Sequence, residues 1–264
     1  NKPDSQIYVN MKKKACREVG IKNFDVTVPK NATENDVLSK IHDFNKNKDI
    51  HGILVQLPLP PHLDEQKILN EVDLNKDIDG FHISSMGSLA INNVNGLISC
   101  TPNGIMKLLE HYDINVSGKN VVVIGASKIV GIPLSLLMLH RGATVSICHI
   151  KTRDYREFPK SADVIVVATG NPEMLKGRDI KEDVIIVDVG INRICDKNKT
   201  KNKNKNKYKI VGDVDYEDVK LKVKAITPVP GGVGPMTIAM LLQNTLDAYK
   251  GNQGSPPTPL ICSA

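Results

Sequence analysis

The chain has 264 residues, of which 41% are hydrophobic and 24% are charged, and this composition is typical of a folded globular protein. Its length predicts two domains, and no apolar run reaches the roughly 20 residues of a membrane-spanning helix. The net charge of +6 becomes −1 without the seven lysines of residues 197–209, so we expect neither nucleic acid nor a membrane as a partner.

The first part of the chain predicts alternating helices and strands. Apolar residues recur at helical or strand spacing between turn residues, and this alternation is typical of a parallel α/β sheet. The predicted elements are a helix over 7–19 with Ser5 as its N-cap, a strand over 24–28, a helix over 35–45, a buried strand over 50–56 and a helix over 63–71. Residues 73–95 are polar and predict an irregular segment.

The second part repeats this pattern. It predicts a helix over 103–112, a strand over 120–124, a helix over 129–140, a strand over 143–148, a helix near 155–160, strands over 163–168 and 184–188, and a final helix over 235–250. We therefore predict an α/β protein of two α/β domains with a cleft between them, the second Rossmann-like with a mostly parallel sheet. The predicted domains are 1–98, completed by helix 235–250, and 99–234, with a Lys/Asn surface insert at 196–209 and a disordered tail at 251–264.

The five cysteines are scattered, with no CxxC pair and no His/Cys ligand spacing. We expect neither a disulfide framework nor a metal site, and this usage indicates a reducing compartment such as the cytoplasm. An organellar location is the alternative, because the sequence begins without Met and shows no targeting segment.

A glycine turn follows the apolar residues 121–124. It reads Gly125-Ala126-Ser127-Lys128-Ile129-Val130-Gly131, a G-x-S-x-x-x-G pattern between a predicted strand and a predicted helix. Backbone N–H groups at such a helix start can bind the pyrophosphate of a dinucleotide. An ordinary tight turn between a strand and a helix is the alternative.

The end of the next predicted strand bears on the choice of dinucleotide. NAD-binding enzymes place a carboxylate there to hold the ribose 2′-hydroxyl, whereas this chain has Lys151 and Arg153 and no carboxylate before Asp154. Cations attract a 2′-phosphate, so we expect NADP rather than NAD. A solvated loop is the alternative interpretation of the two basic residues.

Four polar residues of the first domain are candidates for chemistry. Tyr8 and Lys12 share one helix face and could relay protons, although a lysine run is usually solvated. Gln56 lies at the carboxyl end of a predicted strand, where ligand sites form in α/β proteins, or it binds loop backbone at the rim. Asp79 could hold a ligand amine or cap a turn.

These features occur together in one family. The sequence resembles the bifunctional methylenetetrahydrofolate dehydrogenase/cyclohydrolase family from about Ser5 to Tyr249. The matching motifs are SQIYVNMK at 5–12, HGILVQLPL at 51–59, KDIDG at 76–80, CTP at 100–102, the glycine turn at 125–131 and PVPGGVGPMT at 228–237.

The resemblance implies roles for individual residues. Lys12 would be the catalytic lysine, Tyr8 would stack on the folate, Gln56 would bind Lys12 and set its protonation state, and Asp79 would anchor the pterin. Folate would also contact Leu57, Pro58 and the closing loop of Pro230, Gly231 and Gly232, for which a plain turn is the alternative. The implied NADP contacts are Thr101, Gly125, Ser127, Lys128, Ile129, His149, Lys151, Ala168, Thr169, Gly170, Ile191, Gly234 and Thr237.

The implied activity is NADP-dependent oxidation of 5,10-methylenetetrahydrofolate to 5,10-methenyltetrahydrofolate and its hydrolysis to 10-formyltetrahydrofolate, in one-carbon metabolism and purine biosynthesis. A homodimer and polyglutamylated folates are expected. The chain departs from the family pattern at two places. Ala126 and Ile150 stand where some members have Arg and Ser for the 2′-phosphate, so Lys151 would be the main contact of that phosphate. One helix and one strand that usually precede Ser5 are missing. Another NADP-dependent two-domain dehydrogenase and an inactive truncated copy are the rival interpretations.

Overall fold

The computed structural model describes residues 3–93, 96–195 and 208–252, with the side chains of 9–93, 96–195 and 208–251. The chain divides into two compact units, one formed by Asn1–Cys100 with Ile238–Ala264 and the other by Thr101–Thr237. In the described ranges, none of the helices combines the length and the apolar character that a bilayer crossing requires.

The first unit is built mainly from helices. They are α1 (Pro3–Glu18), α2 (Glu34–Lys46), α3 (Glu65–Asn70) and α4 (Ile83–Ala90). Thr33 caps α2 in a reciprocal capping box with Asp36, a motif worth about 1 kcal/mol. At the other end of α2, the buried Lys76 ammonium donates to the carbonyls of Phe44, Asn45 and Asn47, so a cation satisfies carbonyls that the helix leaves unpaired.

Four predictions for this unit are wrong. Residues 24–28 form no strand, and the side chains of Phe24 and Val26 are exposed, because no described segment pairs with them. Residues 50–56 contain only an isolated parallel bridge between Ile53 and Asp77. The segment 73–95, predicted to be irregular, contains α4, whose first turn is capped by His82 Nδ1, a ring nitrogen that propensity alone does not mark as a cap. Ser5 is not the N-cap of α1, because the helix already includes Pro3, a residue that the first turn of a helix accepts since its missing N–H costs nothing there.

The second unit has a parallel sheet at its centre. In chain order the elements are α5 (Cys100–His111), β1 (Asn120–Ile124), α6 (Gly131–His140), β2 (Thr144–Cys148), β3 (Val164–Val167), β4 (Ile185–Asp188), β5 (Asn192–Cys195), β6 (Tyr208–Val211), α7 (Tyr216–Val219), β7 (Ala225–Ile226) and α8 (Val233–Asn252). Helix α8 continues into the first unit.

The five parallel strands lie in the order β2-β1-β3-β4-β7. Both faces of the sheet are covered: Val121 and Val123 face a core with α5 and α6, while Val122 and Ile124 face a second core on the opposite side. Burial on both faces explains why β1, β3 and β4 carry continuous apolar runs rather than alternating patterns. The order reverses beside β1, and ligands of α/β proteins bind at such a point, outside the carboxyl ends of the strands.

Two further predictions for this unit need correction. Residues 155–160 form two short 3-10 helices, Tyr155–Glu157 and Pro159–Ser161, because Pro159 cannot donate the hydrogen bond that would continue one helix. The Lys/Asn insert is not all loop, since Tyr208 and Lys209 belong to β6, which pairs antiparallel with β5. The rest of the insert, 196–207, and the tail from 253 lie outside the described residues, and Gly251 and Asn252 belong to α8.

Candidate functional site

A cavity of about 920 Å³ lies within the first unit. Helix α1 contributes Lys12 and Cys16, the apolar segment 50–56 contributes Gln56, and α8 contributes Leu242 and Tyr249 among other residues. Lys12 is half-buried. A lysine and an amide thus face the same water-accessible space, and a cavity of this size is sufficient for a small organic ligand.

Gln56 is held in one orientation. Its Nε2 group donates a 2.9 Å hydrogen bond to the carbonyl of Leu57. Its Oε1 atom is buried and has no hydrogen-bond partner among the described residues. An unpaired buried acceptor costs free energy, so this oxygen is ready to bind a donor supplied by a ligand.

Asp79 is buried next to Ile78, a residue that lines the cavity. Burial raises the pKa of its carboxyl to about 6, the positive charge of Lys12 lowers that pKa, and Asp77 raises it further. Lys12 is therefore near enough to Asp79 for its charge to act on the carboxyl. Above pH 6 the carboxylate can accept hydrogen bonds from two N–H groups.

The other predicted folate contacts are only partly described. Tyr8 lies in α1, but its side chain is outside the described residues. Leu57 is half-buried and Pro58 is exposed, and a cis peptide bond joins them. In the second unit, Pro230 and Gly231 are exposed and Gly232 is half-buried, and Gly231 has a φ of +111°, which favours glycine.

The glycine turn of the second unit lies at the carboxyl end of β1. A Cβ atom on Gly125 would lie 2.1 Å from the carbonyl oxygen of Ala168, and one on Gly131 would lie 1.8 Å from the carbonyl oxygen of Gly125. Neither position can carry a side chain. The Ser127 hydroxyl accepts hydrogen bonds from the N–H groups of Val130 and Gly131, which leaves its own O–H to donate to a ligand.

The loop after β2 is held by His149. Its ring Nδ1 atom accepts a 3.1 Å hydrogen bond from the backbone N–H of Lys151, and the backbone N–H of His149 donates to the Thr152 hydroxyl at 2.9 Å. The Lys151 side chain is exposed, as are Ile150 and Arg153. The backbone of the loop is therefore ordered while its cations point to solvent.

Other predicted cofactor contacts cluster at the same edge of the sheet. Ala168, Thr169 and Gly170 follow β3, and Ile191 follows β4 with its side chain exposed. Gly234 lies opposite Ile191, since a Cβ atom there would be 3.8 Å from Ile191 Cδ1. The remaining predicted contacts are an exposed pair after β1, Lys128 and Ile129, and a hydroxyl pair, Thr101 and Thr237, whose oxygens are 2.9 Å apart.

Two buried carboxyls at this edge were missed by the sequence reasoning. Asp188 ends β4 and Asp213 follows β6, and both are buried. Gly190 lies two residues after Asp188, and Gly212 directly precedes Asp213. An acidic residue at the end of an apolar strand with a glycine close by is the signal that could have identified them. The described residues contain no group of three or more potential metal ligands.

Comparison with known families and proteins follows this division of the chain. Residues 1–79 match the family described as tetrahydrofolate dehydrogenase/cyclohydrolase, catalytic domain, and residues 99–253 match its NAD(P)-binding domain. The bifunctional protein FolD of Aquifex aeolicus is 51% identical over 250 residues, which are 95% of this chain and 82% of that protein.

Two solved structures are similar along most of the chain. The bifunctional dehydrogenase/cyclohydrolase FolD from Campylobacter jejuni is 49% identical with a TM-score of 0.88, and the match covers 95% of this chain and 85% of that one. The FolD enzyme of Trypanosoma brucei, solved with NADP cofactor and inhibitor, is 35% identical with a TM-score of 0.89, covering 96% and 85%.

Proposed function

The chain belongs to the tetrahydrofolate dehydrogenase/cyclohydrolase family, and from that premise we propose how its residues perform the two reactions. The protein is an NADP-dependent enzyme of one-carbon metabolism. It oxidises 5,10-methylenetetrahydrofolate to 5,10-methenyltetrahydrofolate and hydrolyses that product to 10-formyltetrahydrofolate. The observation that carries the assignment of residues is the shared cavity of Lys12 and Gln56, beside the buried Asp79 on which the Lys12 charge acts.

Lys12 is assigned the proton transfer of the hydrolysis. Water adds its oxygen to the cationic methenyl carbon, and one of its protons must reach the folate nitrogen that leaves this carbon, while the other goes to solvent. In its uncharged form the Lys12 amine takes the proton from water and, as the ammonium, returns it to that nitrogen. A half-buried amine at the wall of a cavity is placed for this exchange, and we propose that Gln56, which lines the same cavity, binds Lys12 when the folate is bound.

Asp79 is assigned the recognition of the pterin. Its carboxylate accepts hydrogen bonds from the ring N–H and the amino group, and in a buried site such charge-assisted bonds are stronger than neutral ones. Tyr8 stacks on the folate ring system, while Leu57 and Pro58 line the folate site. The loop of Pro230, Gly231 and Gly232 is assigned to ligand contact, since glycine lets the backbone approach a ligand closely.

The residues at the carboxyl edge of the parallel sheet fit a dinucleotide. Gly125 and Gly131 leave space that any side chain would fill, and the backbone at the start of α6 can bind a pyrophosphate. NADP, when bound, supplies the acceptor for the hydride of the methylene group. The chain's own part in this step is orientation, with the Ser127 hydroxyl, Thr169 and Ile191 as contacts. The exposed Lys151 ammonium binds the 2′-phosphate and favours NADP over NAD.

Replacement of Lys12 by Met tests the proposal. We expect cyclohydrolase activity to fall by about 10²- to 10⁴-fold, the usual contribution of a general acid–base group, with the unfolding transition unchanged. Lys14→Met is the matched control, because Lys14 lies in the same lysine run but is exposed, is not part of the cavity lining and lies 3.7 Å from Glu18. Hydrolysis at the wild-type rate in Lys12→Met would refute the role of Lys12.

We also propose that the enzyme is a homodimer. Strand β2 is an edge of the sheet, its Ile147 side chain is exposed, and the adjacent α6 exposes Ile132 and Leu139. An edge strand can pair with its own copy about a twofold axis, which would bury these apolar side chains. Light scattering that shows a monomer at micromolar concentration would exclude the homodimer.

We propose that the substrate is a polyglutamylated folate and that the enzyme is cytoplasmic. Lys13 and Lys22 line the cavity and could attract the anionic tail. Equal affinities for mono- and polyglutamate forms at low salt would exclude this preference.

The cytoplasmic location follows the cysteine usage, with three described cysteines buried as free thiols, and cell fractionation tests it.

A further inference from the structure

We propose that Asp213 is a positioning residue for the dinucleotide: its carboxyl group fixes the loops that follow β3 and β4, and Asp188 in turn fixes Asp213. The inference rests on the proposed NADP site, because the two loops carry Thr169, Gly170 and Ile191. Neither carboxyl has a role in the mechanism above. Burial of two acidic groups is costly unless their oxygens are fully hydrogen-bonded, so their presence at a ligand edge needs an explanation.

The oxygens of Asp213 bind groups from two loops. Oδ2 accepts hydrogen bonds from the N–H and hydroxyl of Thr169, at 2.6 and 2.9 Å, and from the N–H of Gly170 at 2.9 Å. Oδ1 accepts a 2.7 Å hydrogen bond from Nδ2 of Asn192, the residue that follows Ile191. One fully buried side chain therefore sets the distance between the loop after β3 and the loop after β4.

Asp188 holds the segment that carries Asp213. Its Oδ1 atom accepts 2.9 Å hydrogen bonds from the N–H groups of Gly190 and Asp213, and its Oδ2 atom accepts one from Val214. The fit excludes side chains at two glycines: a Cβ atom on Gly212 would lie 1.8 Å from Asp188 Oδ2, and one on Gly190 would lie 2.2 Å from Asp213 Oδ1. The two aspartates therefore form one rigid unit with strand β4.

This arrangement limits how the loop after β3 can contact a dinucleotide. The N–H groups of Thr169 and Gly170 donate to Asp213, so they are not available to a phosphate. The loop instead provides a surface whose position matters: Ala168 lies directly under the Gly125 turn, with its N–H donating to the Ile124 carbonyl at 2.8 Å. A displacement of this loop would alter the space beside the glycine turn.

The test compares Asp213→Asn with the double variant Asp213→Asn/Asn192→Asp. With Asn192 in its present orientation, the single variant sets two amide NH₂ groups against each other, and the double variant restores one donor and one acceptor. We expect the NADP dissociation constant, measured by calorimetry, to rise about tenfold in Asp213→Asn and to return to within about threefold of wild type in the double variant. Cyclohydrolase activity at saturating methenyltetrahydrofolate should change by less than about twofold.

Asp179→Asn is the control for loss of a buried carboxyl elsewhere in the same unit, and it should leave NADP affinity unchanged once the protein is folded. Asn192→Ala, which removes a single donor, serves if Asp213→Asn does not fold, with an expected rise of about threefold in the dissociation constant. Wild-type NADP affinity in both Asp213→Asn and Asn192→Ala, or an equal loss in Asp179→Asn, would overturn the proposal.

Hydrogen exchange separates this inference from the proposed function. The amide hydrogens of Thr169 and Gly170 should exchange slowly in the wild-type protein without ligand, faster in Asp213→Asn and slowly again in the double variant. Fast exchange in the wild type overturns the role of Asp213 even if the enzyme is active. A wild-type protein that binds no NADP contradicts the proposed function, and the exchange pattern then still decides whether Asp213 holds the loop.

Discussion

The ammonium group of Lys12 lowers the pKa of the Asp79 carboxyl, while burial, the larger effect, raises it to about 6. The two side chains come from α1 and from the segment before α4, and their proximity unites a proton-transfer candidate with a pterin-binding candidate. At neutral pH the carboxylate form of Asp79 dominates, which is the form that accepts two hydrogen bonds.

Folate affinity should therefore depend on pH through Asp79. Because the pKa is about 6, affinity should be constant above this pH and fall as the pH decreases through it, when the carboxyl gains a proton and loses acceptor capacity. Titration calorimetry with a folate analogue measures this. Asp79→Ala should weaken folate binding at all pH values without changing NADP binding, and equal loss of both ligands would indicate a structural role instead.

Lys151 should determine the preference for NADP. Lys151→Ala removes the cation from the loop after β2, so the NADP dissociation constant should rise about tenfold while NAD binding stays unchanged. Arg153→Ala is the matched control: Arg153 is exposed in the same loop and lies 3.8 Å from Asp154. An equal effect of both replacements would show that general positive charge, not Lys151, attracts the phosphate.

Gly131→Ala should destabilise the second unit and reduce dinucleotide binding. The new Cβ atom would overlap the Gly125 carbonyl, so the first turn of α6 must move, at an expected cost of about 1–3 kcal/mol in the free energy of unfolding. Gly87→Ala in α4 is the contrasting replacement, because a Cβ atom there meets no other atom within 4 Å. It should stabilise the protein by about 0.5–1 kcal/mol, and urea unfolding measures both changes.

Asp188 should make stability depend on pH in the opposite sense to a salt-bridged carboxylate. Burial, partly offset by three backbone N–H donors, raises its pKa from 3.8 to about 6 in the folded protein. Between these two pKa values the folded state binds more protons than the unfolded state. The contribution of Asp188 to the free energy of unfolding is therefore fully present below about pH 4 and is lost as the pH rises through 6. Urea unfolding of Asp188→Asn should lack this component of the pH dependence seen in wild type.

Several features follow from local sequence. Strands β1, β3 and β4 carry continuous apolar runs because both faces of the sheet are buried, and a run such as residues 121–124 predicts a strand without knowledge of its neighbours. The glycine turn is equally local, since Gly125 and Gly131 stand at fixed spacing between that strand and α6. The motifs around Lys12, Gln56 and Asp79 identify the family for the same reason.

Tertiary structure decided the rest, because the partners are distant in the chain. Residues 24–28 alternate like a strand, yet a strand exists only where another segment pairs with it, and none of the described residues does so. The sequence around Asp213 indicates only a polar loop residue. Its role depends on Thr169 and Asn192, which are distant in the chain and bind its oxygens in the folded protein. The sequence by itself determined the parallel sheet, its glycine turn and the family. Only the folded chain decided which carboxyls are buried, because burial and hydrogen-bond partners set their pKa values and their roles.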